Sequence, residues 1–219
     1  MINCSKIKNT VKSSYEISDD MKHFIINSKQ EFITVSDKKK NQIIEYSQKD
    51  KSNIVKIYEL TANKCISEFY KDLSPMVIIE KNNFYDSQLF LKKSKEYAKF
   101  ICDFERVSEL YNKIVDSYIM FIKATGCYFN DMSGNNIMVN FDFSEFKIID
   151  VFSIKQAHKG MLIYFDPWSI MSCVSIRREN DQVYVVGDDT LSSYLSHVNL
   201  NELNSNVFEK IETRKIKVE

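Results

Sequence analysis

Two patterns of hydrophobic and polar positions divide the chain near residue 95. Before that point short apolar runs alternate with polar clusters, and after it apolar residues begin to recur at helical spacing. Residues 1 to 20 are polar and unpatterned and read as a flexible lead-in. "KHFIINSKQEFITVSD" predicts two strands, His23 to Asn27 and Glu31 to Ser36, joined as a hairpin around Ser28, Lys29 and Gln30. Lys38 to Lys40 reads as a solvated loop, and "NQIIEY" and "NIVKIYEL" as a second hairpin around "SQKDKS". Thr61 to Leu73 places Cys65, Phe69 and Leu73 at helical spacing, with Pro75 as a stop, and predicts a helix. "MVIIE" and "SQLFLKK" then complete a small antiparallel sheet of about five strands with that one helix inserted.

From Glu105 to Lys123, apolar Val107, Leu110, Tyr111, Ile114, Val115, Tyr118, Ile119 and Ile122 recur in three- and four-residue steps. They predict a long amphipathic helix that Gly126 ends. "IMV" from Ile137 and "FKII" from Phe146 flank the turn "FDFSE" as a hairpin. The remainder predicts a helix over "DPWSIMSCVSI", a strand over "QVYVVG" and a final polar helix. The expected organisation is an N-terminal segment over 1–20, a β-rich lobe over 21–95 and a reduced, mainly helical lobe over 96–219, with the junction near Lys92 to Lys95.

Composition narrows the partners. The 219 residues, 44% of them hydrophobic, suffice for a sizeable core. Thirty basic and thirty acidic side chains cancel, so no net field favours nucleic acid or an anionic membrane. No run approaches the ~18 apolar residues of a membrane span, and "MINCSKIKNTVKSSYE" lacks the apolar centre of a secretory signal. A soluble protein is expected, and export would use a route without a cleavable signal peptide. Cys4, Cys65, Cys102, Cys127 and Cys173 are widely spaced without a CxxC pair, which favours buried free thiols over disulfides or zinc. His23, His158 and His197 stand apart, with no ligand spacing.

Chemistry concentrates in "YFNDMSGNNIMVN", Tyr128 to Asn140, which gathers turn residues in a chain with only four glycines. Asp131 and Asn136 lie there between helix and strand, and Asp150 closes the apolar run "FKIID". Taken singly these are ordinary turn residues. In this order they form a set of oxygen ligands suited to Mg²⁺ and to phosphoryl transfer. "FNDMSGNNIMV" followed by "FKIIDVF" resembles the catalytic loop and metal-binding strand of the protein kinase superfamily, H-R-D-L-x-x-x-N and then D-F-G.

That resemblance implies an α+β, bilobal, kinase-like fold with ATP and Mg²⁺ as cofactors. It makes Asp131 the catalytic aspartate, and Asn136 and Asp150 the metal-holding residues. "NIVK" resembles the strand whose lysine pairs with the nucleotide phosphates, so Lys56 is the candidate, with Glu68 as its partner from the following helix. "DPWSIM" resembles the start of a C-lobe helix whose aspartate, here Asp166, tethers the catalytic loop.

Departures define the type. No glycine precedes Gly126, so the glycine-rich phosphate cover is absent; Phe129 and Asn130 replace the usual histidine and arginine; and Asp166 follows Asp150 by only sixteen positions. Such reductions resemble the minimal type III secreted effector kinases of enteric bacteria. The resemblance implies Ser/Thr kinase activity on a host protein, action in the host cell cytoplasm, and an activator such as a ubiquitin-conjugating complex. A viral kinase relative fits the same residues. Two other classes stay open: a pseudokinase scaffold that binds a host protein, and a kinase-fold transferase that acts on a small molecule or moves AMP.

Overall fold

The computed structural model describes residues 13–76, 96, 100, 103–171, 176–179, 182–185 and 207–219. Within them the chain is a mixed α+β protein. Its first half is built on a four-stranded antiparallel sheet. Strands β1 (Ser13–Ile17) and β2 (His23–Ser28) form a hairpin with Ile17 opposite Phe24 and Ser13 opposite Ser28. The lead-in expected over 1–20 therefore includes a paired strand from Ser13 onward.

The expected second strand of that hairpin joins no ladder. Ile33 and Val35 alternate into the core, while the Phe32 and Ile33 amides both donate to the Ala62 carbonyl at 2.8 and 3.2 Å. The alternation reports burial; a ladder also needs a partner, and β2 already has two.

Helix α1 (Asp37–Ser47) replaces both the expected loop at Lys38 to Lys40 and the expected strand "NQIIEY". Its inward face is Lys40, Ile43, Tyr46 and Ser47, so two polar residues occupy core positions and mask the helical period. Their polarity is satisfied locally. Lys40 Nζ donates to Asp37 Oδ1 at 3.0 Å, and the Ser47 hydroxyl donates to the Ile44 carbonyl at 2.7 Å while accepting from the Ile57 amide at 3.0 Å.

Strands β3 (Ile57–Leu60) and β4 (Lys64–Glu68) close the sheet in the order β1-β2-β4-β3. The helix expected over Thr61 to Leu73 is thus overturned. Thr61 to Asn63 form a turn, with the Thr61 amide donating to the Lys64 carbonyl at 2.8 Å, and Cys65 and Ser67 alternate inward. Pairing on both sides, Ile25 opposite Ile66 and Leu60 opposite Cys65, outweighs a weak local helical preference. The strand expected from Asn53 is regular only from Ile57, although Ile54 bridges Ile148 and the Val55 amide donates to the Ile148 carbonyl at 2.9 Å. Strand β5 (Ser74–Pro75) follows. "SQLFLKK", the Lys92 to Lys95 junction and "MVIIE" beyond Met76 lie outside the described residues.

The long helix forms as expected. Helix α2 (Phe104–Thr125) starts at Asp103, whose side chain accepts from the Arg106 amide, and ends at Gly126 with φ 66°. Strands β6 (Cys127–Phe129), β7 (Ile137–Val139), β8 (Phe146–Ile148) and β9 (Ile154–Gln156) follow. The expected hairpin is β7–β8, extended by β5 on its other edge, while β6 pairs with β9. Beyond them β10 (Leu162–Phe165) leads into the short helix α3 (Pro167–Met171). The helix expected to reach Ile176 does not, because Ile176 begins β11 (Ile176–Glu179), which pairs with β12 (Gln182–Val185). Of the expected final polar helix the described residues contain α4 (Val207–Lys210), and β13 (Arg214–Lys217) pairs with β10.

One hydrophobic cluster runs from Ile26 to Ile211 through both halves. Tyr46 of α1 meets Phe121 of α2 edge-on at 5.6 Å, and Phe121 packs on Phe129 at 4.7 Å. The sheet side and the helical side are thereby joined through aromatic contacts directly behind the loop that follows β6. Among the described residues no helix is long and apolar enough to cross a membrane.

Candidate functional site

The loop after β6 is held at both ends by backbone hydrogen bonds. Phe129 is buried, and the next amide, of Asn130, donates to the Ser153 carbonyl at 2.9 Å. Asp131 is exposed, and its Oδ1 accepts from the Ser133 amide at 3.2 Å, an aspartate turn of ordinary local chemistry. Gly134 to Asn136 make one 3-10 turn, and the Asn136 amide closes it on the Ser133 carbonyl at 3.0 Å. Asn136 Nδ2 then donates back to the Asp131 carbonyl at 3.2 Å. With its NH₂ engaged inside the loop, the Asn136 amide oxygen is left as an acceptor. The Asn136 carbonyl accepts from the Ile149 amide at 2.9 Å, which ties the turn to the residue before Asp150.

Asp150 opens a second 3-10 turn, Val151–Ser153. Burial raises its carboxyl pKa to about 6, the Asp131 charge adds to the rise, and the Ser153 hydroxyl and the Phe152 and Ser153 amides oppose it. Among the described residues neither carboxylate has a basic side chain at ion-pair distance. The Asp131 charge therefore acts on Asp150 with no basic side chain paired to either among the described residues, an arrangement that a bound cation would relieve. Among the described residues no group of three or more His, Cys, Asp or Glu side chains is placed to hold a metal. The donors here are two carboxylates and an amide oxygen. They fit a hard cation such as Mg²⁺, which takes few protein ligands and completes its shell with water and phosphate.

A core tyrosine of α2 feels the charge of this pair. Tyr118 of α2 is fully buried, and its hydroxyl has no hydrogen-bond partner among the described residues. A buried unpaired hydroxyl costs roughly 1–3 kcal/mol. Burial, and after it the charges of Asp150 and Asp131, push its phenol pKa upward. Only its register on α2 could have flagged it from sequence, because Tyr111, seven residues earlier on the same face, is indistinguishable by pattern.

Lys56 and Glu68 do meet, with Lys56 Nζ 3.9 Å from Glu68 Oε2. Glu68 comes from strand β4 and not from a helix, and its amide donates to the Lys56 carbonyl at 2.8 Å. The two are cross-strand neighbours at the margin of the sheet. Their surroundings are Tyr70 and Lys147: burial, and then the Lys56 charge, lower the Lys147 pKa, and burial, and then Glu68, raise that of Tyr70. Among the described residues no hydrogen bond or ion pair links Lys56 to Asp131, Asn136 or Asp150. Asp166 also differs from expectation. Its Oδ2 accepts from the Ser169 amide at 2.8 Å and hydroxyl at 2.7 Å, holding the start of α3, and among the described residues it makes no hydrogen bond with the loop.

Cys65 and Cys127 are free and buried, as expected, and burial pushes the Cys65 thiol up to about 12 and the Cys127 thiol upward despite nearby Lys39. His23 stacks edge-on against Tyr58 at 5.1 Å, and His158 is exposed.

Together these features define an α+β protein whose candidate site is an acidic loop-and-strand pair closed by backbone hydrogen bonds. The chain matches no model of a known protein family, and no curated protein sequence is significantly similar to it.

Proposed function

We propose that this protein is a minimal, kinase-like phosphotransferase with a two-lobed organisation, moving the γ-phosphoryl group of ATP to a Ser or Thr hydroxyl of a protein. The observation that carries the reading is the coupling of Asp131, Asn136 and Asp150. The Asn136 side chain donates to the Asp131 carbonyl, the Asn136 carbonyl accepts from Ile149, and the Asp131 charge acts on Asp150.

In this reading Asp131, exposed at the loop surface, orients the acceptor hydroxyl and takes its proton. The Asn136 amide oxygen and the Asp150 carboxylate hold Mg²⁺, which when bound offsets charge on the nucleotide phosphates. Lys56 is the candidate for the phosphates and Glu68 for holding Lys56. The resemblance to secreted effector kinases extends the proposal to a host protein substrate and an activator such as a ubiquitin-conjugating complex.

Radiolabelled phosphate transfer tests the core assignment. Asp131→Ala and Asp150→Ala are expected to lose at least a hundredfold in rate, and equal transfer by variants and wild type would overturn it.

One observation favours a second reading, a scaffold that keeps the fold without catalysis. Among the described residues no hydrogen bond or ion pair joins Lys56 to Asp131, Asn136 or Asp150, although it pairs with Glu68. A nucleotide-dependent rise in melting temperature that requires Mg²⁺ and disappears in Asp150→Ala argues against that scaffold.

A further inference from the structure

Where the first sheet meets β8, a cavity of about 690 Å³ opens among residues of β2, β3, β4 and β8, within the size range of small-ligand sites. Tyr58, Phe69 and Tyr70 line it, with Met21 beside them. Tyr58 is 47% exposed and Met21 51%, although both are large hydrophobic side chains. Tyr58 is held edge-on against His23 at 5.1 Å, so a ring that lines the cavity is fixed in place before any ligand arrives.

The inner wall and the rim differ in charge. Lys147 of β8 lines the cavity half-buried; its ammonium donates to the Ser52 carbonyl at 2.7 Å and stands 5.8 Å from the centre of the Tyr70 ring. Among the described residues no carboxylate lies within ion-pair distance of it. An ammonium has three N–H donors, so two remain for a ligand. Glu68, the half-buried acid of the same cavity, has its Oε2 enclosed and 3.9 Å from a different cation, Lys56. The acids of the rim, Asp20, Asp72 and Glu145, are exposed, where water and salt screen them, and Asp20 already lies 3.8 Å from Lys22 Nζ. The charge left over inside the cavity is positive.

We infer that this cavity binds a small organic anion, a carboxylate or phosphate head on an apolar or aromatic body, with Lys147 receiving the head and Tyr58 and Phe69 packing against the body. A bare phosphate would leave the aromatic wall in water, and a cation would meet the unpaired ammonium of Lys147. The site goes beyond the phosphotransferase reading, since Asp131, Asn136 and Asp150 are not among its lining residues.

Calorimetric titration of the full chain tests this, with benzoate and phenyl phosphate as anionic probes and benzylamine as a cation of similar shape. Saturable binding of one or both anions is expected, which separates carboxylate from phosphate, and none of benzylamine. Lys147→Gln is expected to weaken binding at least about tenfold and Tyr58→Ala severalfold, while Asp150→Ala binds as the wild type does. Tyr58→Ala alters an exposed ring, so it decides should Lys147→Gln fail to fold. The inference is overturned if neither anion binds, if both cavity variants bind unchanged, or if benzylamine binds as tightly. Loss of binding in Asp150→Ala also overturns it, because the anion would then belong to the acid site. Anion binding in a chain that transfers no phosphate leaves this inference standing and sinks the proposed function alone.

Discussion

At the scale of single residues, Asp150 links the site to stability. Its folded pKa of about 6 lies above the ordinary 3.8, so between these values the folded state binds more protons than the unfolded chain. Stability therefore falls as pH rises from about 4 to about 6 and is flat above, a loss on the order of 2–3 kcal/mol for the metal-free protein. Urea titrations in chelator across that window are expected to show the fall in wild type and to lack it in Asp150→Asn. An Asp150→Asn protein with the same pH dependence would remove the charge argument for the site. Lys56 contrasts with it. Its side chain is 45% exposed and lies 3.9 Å from Glu68 Oε2, a half-exposed pair, so Lys56→Ala should cost no more than about 1 kcal/mol. Asp131, Asn136 and Asp150 were legible in the sequence because spacing and residue type survive without any knowledge of packing. The Tyr118 hydroxyl was not, since only three-dimensional placement separates it from Tyr111.

Among the elements, α2 and α1 mark the two extremes. Helix α2 announces itself through eight apolar positions and a terminal glycine whose φ of 66° other residues reach only with strain. Gly126→Ala is expected to cost about 1–2 kcal/mol in chemical denaturation, since the added Cβ would also lie 2.8 Å from Lys39 Nζ. That ammonium donates to the Thr125 carbonyl, so a cation from α1 caps the C-terminal end of α2, where the macrodipole favours it. A variant as stable as wild type would show that this end is not constrained by its left-handed residue. Helix α1 and strand β4 were misread for one reason. Their inward positions include polar Lys40, Ser47 and Ser67, the first two with hydrogen-bond partners inside the fold, and a pattern of apolar residues cannot register a buried polar group.

For the whole molecule, the shared core matters most. Phe121 has no exposed surface and touches both Tyr46 of α1 and Phe129 at the end of β6. Phe121→Ala is expected to lose roughly 3–5 kcal/mol. Because the cluster is continuous from Ile26 to Ile211, the wild-type protein should unfold in one transition, with far-UV circular dichroism and hydrogen exchange in β2 and α2 coinciding. Separate transitions would mean that the two halves hold their cores independently.

By itself the sequence determined what depends on local periodicity and order: the α+β class, the long helix and its stop, the β7–β8 hairpin, and the candidate acids in their loop. Tertiary structure alone decided which short segments pair. Residues 41–46 and 64–68 are both brief apolar-polar mixtures, and one becomes a helix by packing on α2 while the other becomes a strand by lying between two strands. Short segments gain too little from their own propensity to choose, so long-range burial and hydrogen bonding choose for them. The same holds for "YFNDMSGNNIMVN": its residues could be read in order, but the closure of Asn136 on the Asp131 carbonyl and of Asn130 on Ser153 is a property of the folded chain alone.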